Sequence, residues 1–290
     1  MNELSEFFIK KNRSMGPYQI NATQSKNLEN KKPLIAIHGW LDNHASFIPL
    51  MKQHPEWPWI ALDLVGHGMS DWRPERSFYY FFDYLCDLIQ FIQDEYPQGV
   101  HLIGHSLGAA ITSLVAGVLP DLVQSLVLLD GLGPLVSDSS AVAEQLRLSI
   151  YQHRQLKPLR FYESIESMAL ARQKKHNIHL NSCKLIVEGG SSYTEKGYRW
   201  SFDPKLFYLS PVQMTQEQVL SILRTVSAPV YLIKAIDGYP FDNELVQARK
   251  EVLKKFSEDL VPGGHHVHMD SPALISLYLE EFYEKNEILF

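Results

Sequence analysis

The sequence predicts an α/β fold: a mostly parallel, doubly wound sheet that carries one helical insertion. Three observations lead there. Five short apolar runs recur along the chain, each continuous rather than alternating. Strands buried on both faces read this way, and parallel sheets are covered on both faces. Amphipathic segments lie between the runs, which is the strand–helix–strand order of right-handed crossovers. The regularity then breaks from about Pro134 to Ser227, where helical patterns appear without matching strands. Residues 1–133 and 228–290 are therefore expected to form the core, and 134–227 a helical cap over one edge of the sheet.

The elements follow in chain order. "PLIAIHG" (Pro33–Gly39) and "WIALDL" (Trp59–Leu64) read as the first two buried strands. A helix is expected over Phe78–Tyr96, where apolar residues recur at helical spacing until Pro97 stops them. "VHLIGH" (Val100–His105) is the third strand, and the helix over Leu107–Leu119 ends before Pro120. "SLVLLD" (Ser125–Asp130) is the fourth strand. The insertion reads as helices, then as an irregular stretch around "EGGSSYTEKGYRWSFDP", with "CKLIVEGG" its one strand-like run. "PVYLIKAID" (Pro229–Asp237) is the fifth core strand. A helix over Asp242–Phe256 is expected to start on an Asp242 or Asn243 cap, with its basic residues late, as the helix dipole favours. The last helix, Ser271–Asn286, combines a Ser cap with Pro272 at its first position.

Composition narrows the function. The 290 residues are 45% hydrophobic and 21% charged, an ordinary globular composition, and the length suits one large domain with an insertion or two small domains. A net charge of −6 offers no basic footprint, so a nucleic-acid partner is not expected. No apolar run reaches the ~18 residues that a membrane span requires. The N-terminal "MNELSEFFIKKNRS" has no signal-peptide core, and the two cysteines, Cys86 and Cys183, make no disulfide framework. A reducing, cytoplasmic setting is the expectation. No repeat or low-complexity tract is evident, and the oligomeric state is left open.

The chemistry concentrates in "GHSLG", Gly104–Gly108, where a buried strand passes into a helix. In a G-x-S-x-G elbow the serine sits on a tight, strained turn that lifts its hydroxyl clear of the sheet. Gly104 and Gly108 let neighbouring backbone approach where a β-carbon would clash. Serine is a weak nucleophile until a base takes its proton, so Ser106 predicts an acid and a histidine further along the chain. "PGGHHVHMDSP" supplies the histidine: His265 is the candidate base, His266 its neighbour, and His268 is expected to pack below. One local histidine cluster without a partner cluster is poor grounds for zinc, so no metal is expected. The backbone N–H of Leu107, at a helix N-terminus, and that of Trp40, after Gly39 and the first core strand, are the candidate oxyanion donors. Gly39, Trp40 and His105 are read as substrate-contacting positions. Asp63 and His67, in "DLVGHGMSD", are read as structural, as are Gly66 and Gly68.

"IHGWLDN", "LDLVGHGMSD", "GHSLG" and "GGHHVHMDSP" together resemble the α/β-hydrolase superfamily, and most of all its serine hydrolase-like branch. The resemblance covers the core on both sides of the insertion and implies a cofactor-free serine hydrolase with a helical cap. A serine at position 106, rather than a carboxylate, is unlike the dehalogenases and epoxide hydrolases of that superfamily. The triad acid has two candidates. Asp237 ends the strand where most such hydrolases place theirs, but the usual G-x-x-D pattern is broken: "AIDG" puts Ala235 in place of the glycine and the carboxylate one residue early. Asp130 ends the preceding core strand and matches the earlier position used by some relatives. Position favours Asp237, motif favours Asp130, and the broken pattern tips the choice to Asp130.

The expected activity is hydrolysis of a small or medium apolar carboxylic ester through an acyl-enzyme on Ser106, with a small molecule as partner and no cofactor. A carbon–carbon bond hydrolase with the same triad is the alternative. It would want a cap arginine for a substrate carboxylate, and Arg147, Arg154 and Arg160 are available. A ligand-binding protein on a retired hydrolase fold is the non-enzymatic alternative. The cap aromatics Tyr151, Phe161, Tyr162, Tyr193, Tyr198, Trp200 and Phe202 read more readily as packing than as pocket lining.

Overall fold

The computed structural model describes residues 4–155, 158–240 and 243–290. Among the described residues there are ten strands: β1 (Phe8–Met15), β2 (Tyr18–Ser25), β3 (Leu34–Ile37), β4 (Trp59–Leu62), β5 (Val100–His105), β6 (Val123–Leu129), β7 (Ser191–Thr194), β8 (Gly197–Trp200), β9 (Val230–Asp237) and β10 (Phe256–Gly264). Eight of them form one sheet in the order β1-β2-β4-β3-β5-β6-β9-β10. The β1–β2 and β2–β4 pairings are antiparallel and all the others in this sheet are parallel. The helices are α1 (Leu4–Phe7), α2 (Ile48–Gln53), α3 (Phe81–Glu95), α4 (Leu107–Val118), α5 (Val142–His153), α6 (Ile165–Gln173), α7 (Leu180–Gly189), α8 (Gln216–Leu223), α9 (Asn243–Glu251), α10 (Val267–Asp270) and α11 (Pro272–Lys285).

All four residues of β3 are buried, yet they divide strictly by parity. Ile35 and Ile37 pack with α3 and α4, whereas Leu34 and Ala36 pack with α2 and α11. This is the two-residue period of a strand covered on both sides. Each fully buried Leu or Ile contributes roughly 1.5–3 kcal/mol, so continuous apolar runs give a central strand strong reason to stay central. The chain runs from β3 to β4 on one side and from β5 to β6 on the other. The crevice between the carboxyl ends of β3 and β5 is therefore a topological switch point, where open α/β sheets bind ligands.

The five expected core strands and the expected helices around α3, α4 and α11 are present. Several local expectations need correction. The antiparallel β1–β2 edge was not foreseen, because β1 is mostly exposed and β2 buries Asn21, Thr23, Gln24 and Ser25 beside only two apolar residues, Ile20 and Ala22. α9 stops at Glu251 instead of Phe256, since Phe256 already pairs with Val230 in the sheet. Asp242, a candidate cap for this helix, lies outside the described residues, as does the Asn243 side chain. Ser271 precedes α11 but its side chain makes no capping bond; α10 ends directly against it. "CKLIVEGG" is helical up to Gly189, the end of α7, and the stretch after it forms the β7–β8 hairpin.

The 134–227 span packs in two parts. α6, α7 and β8 surround a small separate core of Met168, Ala169, Ile178, Cys183, Ile186 and Val187, joined by Met269. α8 instead sends Val219 and Leu223 into the main core. Cys86 and Cys183 are both free thiols. No helix among the described residues is long and apolar enough to cross a membrane.

Candidate active site

Ser106 joins β5 to α4 with φ 52° and ψ −112°. A non-glycine residue held there costs of order 1–3 kcal/mol, so the surroundings must over-determine it. They do so through the two flanking glycines. A β-carbon on Gly108 would lie 1.9 Å from the Ile37 carbonyl oxygen, and one on Gly104 would lie 2.4 Å from the Gly108 carbonyl oxygen. The elbow is compressed against β3 and against its own helix, and only glycine fits at either position. The Ser106 hydroxyl is partly exposed and makes no hydrogen bond among the described residues.

Asp130 follows β6 with φ 47° and is buried. Its Oδ2 lies 2.5 Å from His265 Nδ1 and accepts from the Tyr239 N–H at 2.9 Å, while its Oδ1 accepts from the Ala235 N–H at 3.1 Å. Burial works against ionisation, but the hydrogen bonds from His265, Tyr239 and Ala235 outweigh it and hold the carboxyl below the usual range. The "AIDG" segment thus wraps the earlier acid. A β-carbon on Gly238 would lie 2.4 Å from Asp130 Oδ2, so this glycine clears the space for the carboxylate. Asp237 is exposed, pairs through its backbone register with Gly264, and makes no hydrogen bond or ion pair with His265. Of the two candidate acids, the fold brings Asp130 to the imidazole and leaves Asp237 outside. Gly238 was the signal that sequence reading overlooked.

His265 keeps 26% of its side chain exposed. Its backbone carbonyl accepts from His105 Nε2 at 2.8 Å. His105 itself is fully buried, which removes it from the substrate-contacting positions: it holds the histidine loop from below. Burial pushes its pKa down to about 4. His268 is also fully buried, against His105 and Phe47, with both ring nitrogens unpaired and its pKa driven far down by burial.

On the β3 side, His38 Nε2 accepts from the Leu64 N–H at 3.0 Å, which leaves Nδ1–H to donate to the Gly39 carbonyl at 2.7 Å. Because the peptide is planar and trans, the following Trp40 N–H points the opposite way from that carbonyl. Gly39 is buried with no room for a side chain: a β-carbon would meet His105 Nδ1 at 2.8 Å. The Trp40 ring is 48% exposed, donates from Nε1 to the Leu206 carbonyl at 3.0 Å and meets Phe207 edge to face. Leu107 opens α4, so its N–H has no acceptor within the helix.

Beneath these loops Asp42 is buried. Its Oδ2 lies 3.2 Å from His266 Nε2 and 3.5 Å from His105 Nδ1, and its Oδ1 accepts from Arg172 Nη2. Burial opposes its ionisation, but His266 and Arg172 hold the carboxyl well below the usual range. Candidate ligand atoms of Asp42, His105 and His266 lie within 4.8 Å of one another, the one such grouping among the described residues. Arg172 already supplies the cation there. Sequence reading missed Asp42 and Arg172; the latter carries no local signal. Asp63 and His67 lie elsewhere, buried beyond β4, and make no contact with His265.

Residues 32–272 match the family described as the alpha/beta hydrolase fold. The Danio rerio "Serine hydrolase-like protein" is 27% identical over 270 residues, spanning 87% of this chain and 82% of that protein. The Homo sapiens "Serine hydrolase-like protein 2" is 28% identical over 285 residues, spanning 89% and 88%. The crystal structure of a hypothetical protein from Pseudomonas aeruginosa PAO1 superposes with a TM-score of 0.88 at 30% identity, covering 95% of this chain and 99% of that one. The chain carries a strained serine elbow on an eight-stranded sheet, its relatives are serine hydrolase-like proteins, and the family match spans most of its length: the chain belongs to the α/β-hydrolase family.

Proposed function

We propose that this chain is a cofactor-independent serine hydrolase that cleaves small or medium apolar carboxylic esters through an acyl-enzyme on Ser106. One observation carries the reading: His265 Nδ1 lies 2.5 Å from the buried Asp130 carboxylate, in a chain whose G-x-S-x-G serine is held at φ 52°. Donation from Nδ1 to Asp130 leaves Nε2 as the basic nitrogen. Nε2 takes the Ser106 proton as Oγ attacks the ester carbonyl. The Leu107 and Trp40 N–H groups receive the developing oxyanion. The imidazolium, stabilised by Asp130, then protonates the leaving alkoxide. Water, deprotonated by the same nitrogen, releases the acid and restores the serine. The exposed faces of Trp40 and Phe207 support an apolar substrate, and the 134–227 cap, to which Phe207 belongs, would then shape specificity.

The carbon–carbon alternative asks for a cap arginine facing the substrate. Arg147, Arg154 and Arg160 are all exposed, and the buried cap arginine, Arg172, is committed to Asp42. The ester reading is tested by Ser106→Ala with a panel of chromogenic esters and a fluorophosphonate probe. Wild-type protein should hydrolyse and label, and Ser106→Ala should do neither while melting normally. More than a few per cent of wild-type turnover in Ser106→Ala would overturn the nucleophile. Wild-type protein that neither labels nor turns over would point to the ligand-binding alternative.

A further inference from the structure

We propose that Arg172, on α6 of the inserted segment, is a positioning residue: acting through Asp42, it sets both the loop that presents the Trp40 amide and the loop that presents His265. The inference rests on the roles given above to Ser106, His265 and Trp40.

The geometry is a buried fork. Arg172 Nη1 donates to the Leu41 carbonyl at 3.1 Å, and Nη2 donates to Asp42 Oδ1. The guanidinium carbon lies 5.8 Å from the Trp200 ring centroid, and only 8% of the residue is exposed. A planar fork with two parallel donors can hold a carbonyl and a carboxylate at once; a lysine ammonium is a point charge and does not fix both. What the fork holds is a strained stretch. Leu41 sits at φ 60°, in the left-handed region, one residue after the proposed oxyanion donor Trp40. A leucine there is costly unless its peptide is anchored on both sides.

The other half of the Asp42 carboxylate reaches the histidine loop. Oδ2 lies 3.2 Å from His266 Nε2, on the residue next to His265; His105, whose Nε2 donates to the His265 carbonyl at 2.8 Å, only packs its unprotonated Nδ1 3.5 Å from the same oxygen. One carboxylate therefore sits between the oxyanion loop, the residue beside the nucleophile and the backbone of the base. Gly39 is part of the same joint, since a β-carbon there would press on His105 Nδ1 at 2.8 Å and Asp42 Oδ2 at 3.0 Å. Arg172 touches none of the reacting groups. Its effect is on where they stand, and displacement of about 1 Å at such a site costs about a hundredfold in rate. Because Arg172 comes from the inserted segment and its hydrogen-bond partners, Leu41 and Asp42, from the core, the insertion becomes part of the catalytic scaffold as well as its cover.

The test uses four variants of the full chain. Arg172→Met alone leaves the Asp42 charge buried and unpaired, which endangers folding. The informative variant is therefore Arg172→Met combined with Asp42→Asn, in which both charges go together. Arg172→Lys is the conservative variant, Arg199→Met in the exposed part of the insertion is the control, and Ser106→Ala is the reference. Each is checked by circular dichroism and melting. We then measure kcat and KM on a chromogenic ester and the rate of fluorophosphonate labelling. The expected result is a folded double variant with kcat and labelling rate down about 10–100-fold and KM changed by less than about threefold. Arg172→Lys should fall between it and wild type, and Arg199→Met should match wild type. A folded double variant or a folded Arg172→Lys with wild-type kcat and labelling rate, beside an inactive Ser106→Ala, overturns this inference and leaves the proposed function standing. An active Ser106→Ala overturns both.

Discussion

Asp63 with His44, beyond β4, and Asp130 with His265, beyond β6 and β10, make the same contact: an imidazole Nδ1 against a carboxylate, at 2.8 and 2.5 Å. Their surroundings differ. Asp63 Oδ1 also accepts from the His44 N–H at 2.6 Å, and its Oδ2 accepts from Asn21 Nδ2 at 2.8 Å and from the Met69 N–H at 2.9 Å. The His44 side chain is 1% exposed and that of His265 26%. Burial raises the cost of the Asp63 charge, but His44 outweighs it and brings the carboxyl down to about 2. One pair is sealed on every side and knits the "DLVGHGMSD" turn to β2 and the β3 loop. The other leaves part of the imidazole open to solvent. A carboxylate–histidine pair becomes chemical only when its far nitrogen has somewhere to send a proton.

The largest expected contrast comes from the two aspartates. Asp130→Asn should cost up to ~10⁴-fold in kcat with the fold retained, because an amide can donate to Nδ1 and stabilise the wrong tautomer. Near-native turnover in a folded Asp130→Asn protein would remove Asp130 from the triad. Asp63→Asn should do the reverse. It should cost about 3 kcal/mol or more in stability, since the amide nitrogen would face buried donors, while kcat per folded molecule stays near wild type. A folded, stable, inactive Asp63→Asn protein would erase the distinction.

Acid should erode the sealed regions next. Burial holds His67 at about 3 and His101 and His105 at about 4. These groups have lowered folded-state values, so their contribution is complete above the unfolded value of about 6.5 and is lost as pH falls from there toward 4 and 3. Asp63 adds about 2 kcal/mol that is present above the ordinary carboxylate value and is lost as pH falls through about 2. Tm should therefore drop steadily from pH 7 to pH 4.5, and His101→Gln should make the slope shallower. A flat Tm across that interval would contradict it. The smallest effects test what lies outside the pair. Asp237→Asn, exposed at the end of β9, should shift stability by no more than ~0.5 kcal/mol and leave kcat unchanged; a large loss of kcat would move the acid to Asp237. EDTA should leave the rate unchanged, and activity lost to it and restored by zinc would recast His105 and His266 as ligands.

Much of this was open to a reader of the sequence because the signals are local. Continuous apolar runs marked β3, β4, β5, β6 and β9, since a strand buried on both faces has little choice of residue. The elbow showed in "GHSLG" because only glycine survives 1.9 Å from the Ile37 carbonyl. The edge strand β1 did not show: FIKKNRSM is largely exposed, so no hydrophobic pattern is imposed on it. The insertion's hairpin was hidden for a similar reason, being half-buried and polar.

The sequence by itself determined the fold class, the serine, the histidine loop and two possible acids, because each is written in a few adjacent residues. Only the tertiary structure shows which aspartate meets the His265 imidazole, Asp130. The choice depends on β6 and β9 lying side by side, so that the Ala235 and Tyr239 amides and the space left by Gly238 converge on Asp130. It also brought Arg172 to Asp42 across 130 residues of chain. Pairings of that span leave no trace in local spacing, because the two partners share a site and not a segment.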